Sequence, residues 1–175
     1  FDGPLADVDL LDAVVPGRPG PLARLRLKRW QHILVVHPDA AMMWACVDAA
    51  FLKLGWARFV DRRSGDSWEH AAKSPALDVG VARALHDDRT WLRTRNLSIE
   101  HHNHLAQGRH TATVAAQGPR PLSADVEIHA DATPLVVNLP LGRGRSMYSH
   151  KVVLPVSGWF EAEGRRFECR REHTF

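Results

Sequence analysis

The segment Glu100–His104 holds three histidines and a glutamate within five residues, which suits metal binding. On a β-strand, residues two apart share a face, so Glu100, His102 and His104 would lie together. Two imidazoles and a carboxylate are ligands that zinc and non-haem iron accept. No further ligand follows at a recognised spacing, and Gln107–Gly108 indicates the exposed end of a hairpin. We therefore predict a solvated strand face here, with no bound metal or other cofactor.

A second group that could do chemistry is Tyr148, His150 and Lys151, three side chains that exchange protons. On a strand, Tyr148 and His150 share one face and Lys151 takes the other. With Asp125 as a partner, these residues are the candidate catalytic set. The alternative is structural: a tyrosine hydroxyl bonded to the backbone and a lysine extended into solvent.

Other catalytic and polyanion-binding patterns are missing from the sequence. There is no Gly-Xaa-Ser-Xaa-Gly nucleophile elbow and no phosphate-binding loop. The segment Gly142–Ser146 has two glycines and two arginines, which is more typical of a tight turn than of an anion site. The 23 basic and 20 acidic residues give a net charge of +3, and the arginines are scattered. Nucleic-acid binders cluster such charges, so we predict no nucleic-acid partner.

Six tryptophans are many for 175 residues. Trp44 and Trp56 lie in apolar runs, which places them in a core or in the lining of an apolar pocket. With Trp30 they form the candidate ligand-binding set.

The elements that would position these residues are short strands. Leu122–His129 alternates apolar and polar residues, and Leu135–Leu139 is apolar on both faces, which is typical of a central strand. Ala40–Leu54 permits a helix, but the β-like run Gly55–Asp61 after it favours a strand. Val79–His86 permits a short helix.

Turn signals separate these strands. Arg62–Asp66 reads as a hairpin turn, and Gly158–Glu168 reads as a complete hairpin. Many strands at this spacing predict an all-β, antiparallel meander that forms a barrel or a sandwich. Residues 1–21, which are rich in Pro and Gly, are expected to form an extended arm, and residues 22–175 the β domain.

Composition sets the remaining limits. Hydrophobic residues make up 45% of the chain, enough for a core, and no stretch is long and apolar enough to span a membrane. Two distant cysteines do not make a disulfide framework, which favours a reducing, cytoplasmic location. The sequence does not specify the oligomeric state.

Several motifs together resemble a known family. They are Lys28–His32, Val47–Phe51, Leu139–Gly142, Tyr148–Lys151 and Leu154–Gly158. In combination they resemble the uncharacterised microbial, chiefly bacterial, proteins grouped as domain of unknown function 2804. The resemblance implies a longer protein of which this sequence is the front part. It also implies a distant similarity to lipocalin-like barrels, including carotenoid hydratase and tocopherol cyclase relatives.

Three functions are consistent with this sequence. The first is binding of an apolar small molecule such as a lipid or isoprenoid. The second is an enzyme of hydratase or cyclase type that acts on an apolar substrate by acid–base chemistry. The third is a structural or interaction protein. Fold alone does not decide among them.

Overall fold

The computed structural model describes residues 27–142 and 145–175, and these residues are almost entirely β-structure. The expected arm at residues 1–21 lies outside the described residues, as do Arg143 and Gly144 of the expected Gly142–Ser146 turn. The described strands are β1 (Arg29–Val36), β2 (Ala40–Asp48), β3 (Lys53–Asp61), β4 (Ser67–Ser74), β5 (Asp78–Gly80), β6 (His86–Arg93), β7 (Leu97–His104), β8 (Arg109–Ala116), β9 (Leu122–His129), β10 (Leu135–Gly142), β11 (Arg145–Lys151), β12 (Val156–Ala162) and β13 (Arg165–Cys169).

The strands form two main antiparallel sheets and a separate hairpin. Sheet one has the order β1-β2-β3-β4, and sheet two has the order β13-β12-β9-β8-β7-β6-β5. The hairpin β10–β11 leaves sheet two between β9 and β12, which pair with each other directly. The antiparallel meander is therefore confirmed. In the described part of the chain the sheets form a sandwich, and the barrel alternative was wrong because their edge strands do not join into a closed ring.

The core lies between the inner faces of the two sheets. Every second residue of β9 is buried, from Leu122 to Ile128, as the alternation of the sequence predicts. Aromatic side chains join the sheets: the ring centroids of Phe59 and Phe160 are 6.4 Å apart, and those of Phe160 and Phe167 are 4.9 Å apart. Burial of each such side chain contributes about 2–3 kcal/mol to folding. The core is therefore shared by both sheets.

The turn after β3 also links the sheets. The Asp61 carboxylate accepts hydrogen bonds from the backbone N–H groups of Arg63 and Ser64, both through Oδ1. Its Oδ2 accepts one from Arg165 of β13 at 2.8 Å. These contacts hold the pKa of Asp61 at about 2, with the hydrogen bond from Arg165 as the largest cause. The predicted hairpin turn at Arg62–Asp66 is confirmed.

Two expectations about individual elements were wrong. Val79–His86 does not form a helix, because Gly80 ends strand β5 and the Asp88 carboxylate accepts the backbone N–H groups of Arg83 and Ala84. Leu135–Leu139 does not lie at the centre of a sheet. It belongs to the β10–β11 hairpin, where Leu135 and Leu139 are exposed.

No helix in residues 27–142 and 145–175 is long and apolar enough to cross a membrane. The helical structure there is one 3-10 turn, Leu105–Gln107, between β7 and β8.

Candidate functional site

At one end of the interior, polar residues replace apolar ones at inward-facing positions. Thr90 precedes Leu92 on β6, and His101 and Asn103 follow Ile99 on β7. The exposed fractions of Thr90, His101 and Asn103 are 2%, 3% and 1%. With His110 of β8 and Gln31 of β1 they form what we call the polar cluster. Buried polar groups are costly unless they are hydrogen-bonded, so their partners are informative.

Asn103 is the centre of the polar cluster. Its Oδ1 accepts hydrogen bonds from Gln31 Nε2 at 3.0 Å and from His101 Nε2 at 2.9 Å. Its Nδ2 donates to the backbone carbonyl of Ala84 at 2.8 Å. The side chain therefore joins strand β1 of sheet one to strand β7 of sheet two.

Thr90 completes the network. Its hydroxyl donates to Gln31 Oε1 at 2.5 Å and accepts the backbone N–H of Ala82 at 2.9 Å. With Oε1 accepting from Thr90, the Gln31 amide is left to donate from Nε2. The direction of each hydrogen bond is thus consistent from Ala82 through to Asn103.

The network also fixes the tautomer of His101. An amide oxygen only accepts, so His101 must carry its proton on Nε2, which leaves a bare lone pair on Nδ1. His101 Nδ1 is buried and has no hydrogen-bond partner among the described residues. The same holds for His110 Nδ1, and the two rings stack with their centroids 5.7 Å apart. Here the interior has hydrogen-bonding capacity that no described residue uses.

Both imidazoles are neutral at neutral pH. Burial, the largest cause, lowers the pKa of His101 to about 3 and that of His110 to about 4. Neighbouring histidines lower these pKa values further: His110 acts on His101, and His150 and His104 act on His110. A charged imidazole is disfavoured where water is excluded and other imidazoles are close.

The β10–β11 hairpin carries two of the predicted catalytic residues, and one of them, His150, lies near the polar cluster. Tyr148 and His150 lie on the same hairpin face, opposite Asn138 and Val136. His150 is close enough to His110 for its charge to lower the pKa of that residue. Tyr148 Oη is buried with no hydrogen-bond partner in the described chain, and burial raises its pKa.

The other two predicted catalytic residues lie elsewhere. Lys151 is exposed on the opposite face of the hairpin, paired with Leu135. Asp125 is exposed on the outer face of sheet two, where its strand neighbours are Thr113 and Trp159. The structure therefore brings Tyr148 and His150 together and separates them from Lys151 and Asp125.

The three candidate ligand-binding tryptophans do not share a pocket. Trp44 is 2% exposed and lies in the core on the inner face of sheet one. Trp30 and Trp56 lie on the outer face of that sheet, where Trp30 is 51% exposed.

Glu100, His102 and His104 share the outer face of sheet two, as their spacing predicts. His102 Nε2 is 3.1 Å from Glu100 Oε1, and the rings of His102 and His104 stack at 5.8 Å. Arg89 and Arg93 also approach the Glu100 carboxylate, at 3.5 Å and 3.7 Å. Within the residues that the structure describes, no group of three or more His, Cys, Asp and Glu side chains is arranged to hold a metal ion.

Two clefts lie on the surface away from the polar cluster. One of about 510 Å³ is lined by His37, Asp39, Arg170 and neighbouring residues of β13. Another of about 330 Å³ lies between β4 and the β6–β7 turn, beside His70 and Arg95. Charged and polar side chains contribute much of both linings, which does not suit an apolar ligand.

The spacing of two residues that groups Glu100 with His102 and His104 also places His101 and Asn103 on the opposite face of the strand, but it does not mark them as a site. The available signal was an interruption in pattern: β7 begins Leu97-Xaa-Ile99 and continues with His101-Xaa-Asn103 on the same face. Gln31 and Thr90 gave no such signal, because their role depends on pairing between distant strands.

The comparisons with known proteins are sparse. A family model described as "Domain of unknown function (DUF2804)" matches residues 5–175. No curated protein and no solved structure matches the chain.

Proposed function

We propose a ligand-binding function for this chain, which belongs to the family described as "Domain of unknown function (DUF2804)". The ligand is a largely apolar small molecule that carries a hydroxyl group, such as a lipid or isoprenoid alcohol. The observation that carries the proposal is His101 Nδ1, a buried acceptor at the end of an apolar interior with no partner within residues 27–142 and 145–175.

The chemistry of the unpaired atoms selects the polar group of the ligand. His101 Nδ1 accepts only, because its proton lies on Nε2. Tyr148 Oη, on the hairpin face that it shares with His150, can donate. A hydroxyl group donates one hydrogen bond and accepts others, so it suits an acceptor such as His101 Nδ1 and a donor such as Tyr148 Oη. A buried polar atom without a partner costs about 1–3 kcal/mol, and a ligand that pairs it recovers that free energy.

The pKa values favour binding over acid–base catalysis at the polar cluster. A catalytic base works best when its pKa is near the working pH. With pKa values of about 3 and about 4, His101 and His110 are weak bases that hydrogen-bond well as neutral groups. A hydratase or cyclase reaction that uses Tyr148 and His150 stays a separate prediction, tested by turnover of a polyene substrate by the purified protein.

The test compares farnesol with the hydrocarbon farnesene, binding being followed by calorimetry. We expect saturable binding of farnesol and at least tenfold weaker binding of farnesene, about 1.4 kcal/mol, because only the alcohol pairs the buried atoms. In protein labelled with 15N at histidine, the Nδ1 resonance of His101 shifts when farnesol binds.

Tyr148→Phe is the diagnostic variant, since it removes one hydroxyl and keeps the ring. We expect it to weaken farnesol binding about tenfold and to leave farnesene binding unchanged. Ser149→Ala, on the opposite face of the hairpin, is the matched control. Equal binding of the alcohol and the hydrocarbon, or no saturable binding of either, would contradict the proposal.

A further inference from the structure

The outer face of sheet one is unusually apolar for a surface that faces away from the core. The register of β1, β2 and β3 places eight apolar side chains of valine size or larger on it: Trp30, Leu34, Val36, Met43, Val47, Leu54, Trp56 and Val60. Trp30 is 51% exposed and Leu34 is 44% exposed. An antiparallel sheet with one face on the core normally carries polar residues on its other face.

This apolar face has a charged border on its β3–β4 side. Arg58 is exposed there directly across from Glu69, and Lys73 is exposed further along β4, across from Leu54. At the opposite corner the exposed Lys28 precedes β1. The border therefore has an excess of positive charge, and an apolar partner with acidic residues would complement it.

We propose that the N-terminal segment of this same chain, residues 5–15, packs on the apolar face of sheet one. Position supports this assignment: residues 1–26 lead directly into Leu27, two residues before β1, which is the edge strand of that sheet. The proposal is independent of the ligand proposed above.

The reach of the segment is sufficient. Four strands about 4.8 Å apart make a face about 15 Å wide, and a nine-residue strand is about 30 Å long. Eleven extended residues span up to about 36 Å, and eleven more remain as the connection to residue 27.

The composition of the segment fits the face. Leu5, Val8, Leu10 and Leu11 lie within seven residues, and Val14 follows. The first twelve residues also include four aspartates and no lysine or arginine. Apolar side chains would cover the tryptophans, while the aspartates lie near the basic border.

The experiment uses the full chain with a nitroxide spin label on Ala6→Cys. The native thiols stay unlabelled, because Cys46 and Cys169 are buried. We expect loss of NMR signal intensity at the amides of Leu34, Met43 and Trp56, and no loss at Asp125 on the outer face of sheet two. Diamagnetic label at the same position is the reference.

A second variant makes the test specific. Leu10→Asp combined with Leu11→Asp should restore the intensities at Leu34 and Met43 and leave the circular dichroism spectrum unchanged. The proposal is overturned if the label broadens no amide on this face, or if the loss persists in the double variant. It is also overturned if the loss occurs only between molecules, in a mixture of labelled and isotopic chains, because a second copy then covers the face.

Discussion

At the residue scale, Asn103 makes the connections on which the buried polar network depends. Its side chain satisfies Gln31, His101 and the carbonyl of Ala84 at once. Asn103→Ala leaves buried His101 Nε2 without a partner and removes one from the half-buried Gln31 amide and Ala84 carbonyl, so we expect a loss of about 3 kcal/mol in the free energy of unfolding. Urea denaturation measures this loss.

Ser98→Ala is the matched control for that substitution. Ser98 lies on the same strand but is exposed, so its replacement should change the free energy of unfolding by less than about 0.5 kcal/mol. If both variants lose the same stability, the network has no special contribution to folding.

A second prediction at the residue scale concerns His110 and the pH dependence of the free energy of unfolding. Burial lowers its pKa from 6.5 to about 4, so the unfolded chain binds its proton more readily than the folded one. The corresponding stability is complete above pH 6.5 and is lost as the pH falls toward 4. We expect His110→Phe to flatten the fall in unfolding free energy over this range by about 1 kcal/mol per pH unit. Urea titrations at several pH values measure it, and parallel curves for variant and wild type would contradict it.

At the element scale, the pairing of β12 with β9 depends on Gly158. Its φ is +109°, and a Cβ there would lie 2.3 Å from the carbonyl oxygen of Asp125. Gly164 in the β12–β13 turn is the control, because its φ is +78° but no atom lies within 4 Å of a Cβ. We expect Gly164→Ala to cost about 1–2 kcal/mol from backbone conformation alone.

Gly158→Ala should cost clearly more than Gly164→Ala, or prevent folding, because the backbone of β9 must also move away. Soluble yield and urea denaturation distinguish the two variants. Equal losses would show that steric contact with β9 contributes nothing beyond the positive φ.

At the level of single elements, the sequence predicted strands well where buried and exposed residues alternate along a short stretch of chain. β9 has the bounds that its alternation predicts, and the turns after β3 and β12 lie where Gly and Asp residues indicate them. It failed at Leu135–Leu139, because an apolar run that leaves the sheet as a hairpin has the same local pattern as a central strand. The prediction failed at Val79–His86, because the carboxylate of Asp88, which lies outside that segment, accepts the backbone N–H groups of Arg83 and Ala84.

At the scale of the whole molecule, the candidate site was harder to predict than the fold. Tyr148 and His150 share a face by spacing alone, and the structure agrees. The approach of His150 to His110 depends on how the hairpin packs against sheet two. The link from Gln31 to Asn103 depends on how the two sheets pack, and it spans 72 residues of sequence. Such contacts leave no periodic signal in one sequence.

The shared core predicts that the two sheets unfold together. Cys46 lies on sheet one and Cys169 on sheet two, and burial raises the pKa of both thiols to about 12, so they are unreactive while folded. Beyond Cys169, Phe175 exchanges backbone hydrogen bonds with Val36 of β1, which fastens this end of sheet two to sheet one. We expect thiol-reagent labelling in native buffer to require global unfolding, both at Cys46 in the Cys169→Ala variant and at Cys169 in the Cys46→Ala variant. The opening free energy at each thiol should equal that variant's own unfolding free energy in urea. If the opening free energy at Cys169 is lower than the unfolding free energy of the same variant, β13 opens by itself, which contradicts cooperative unfolding of the two sheets.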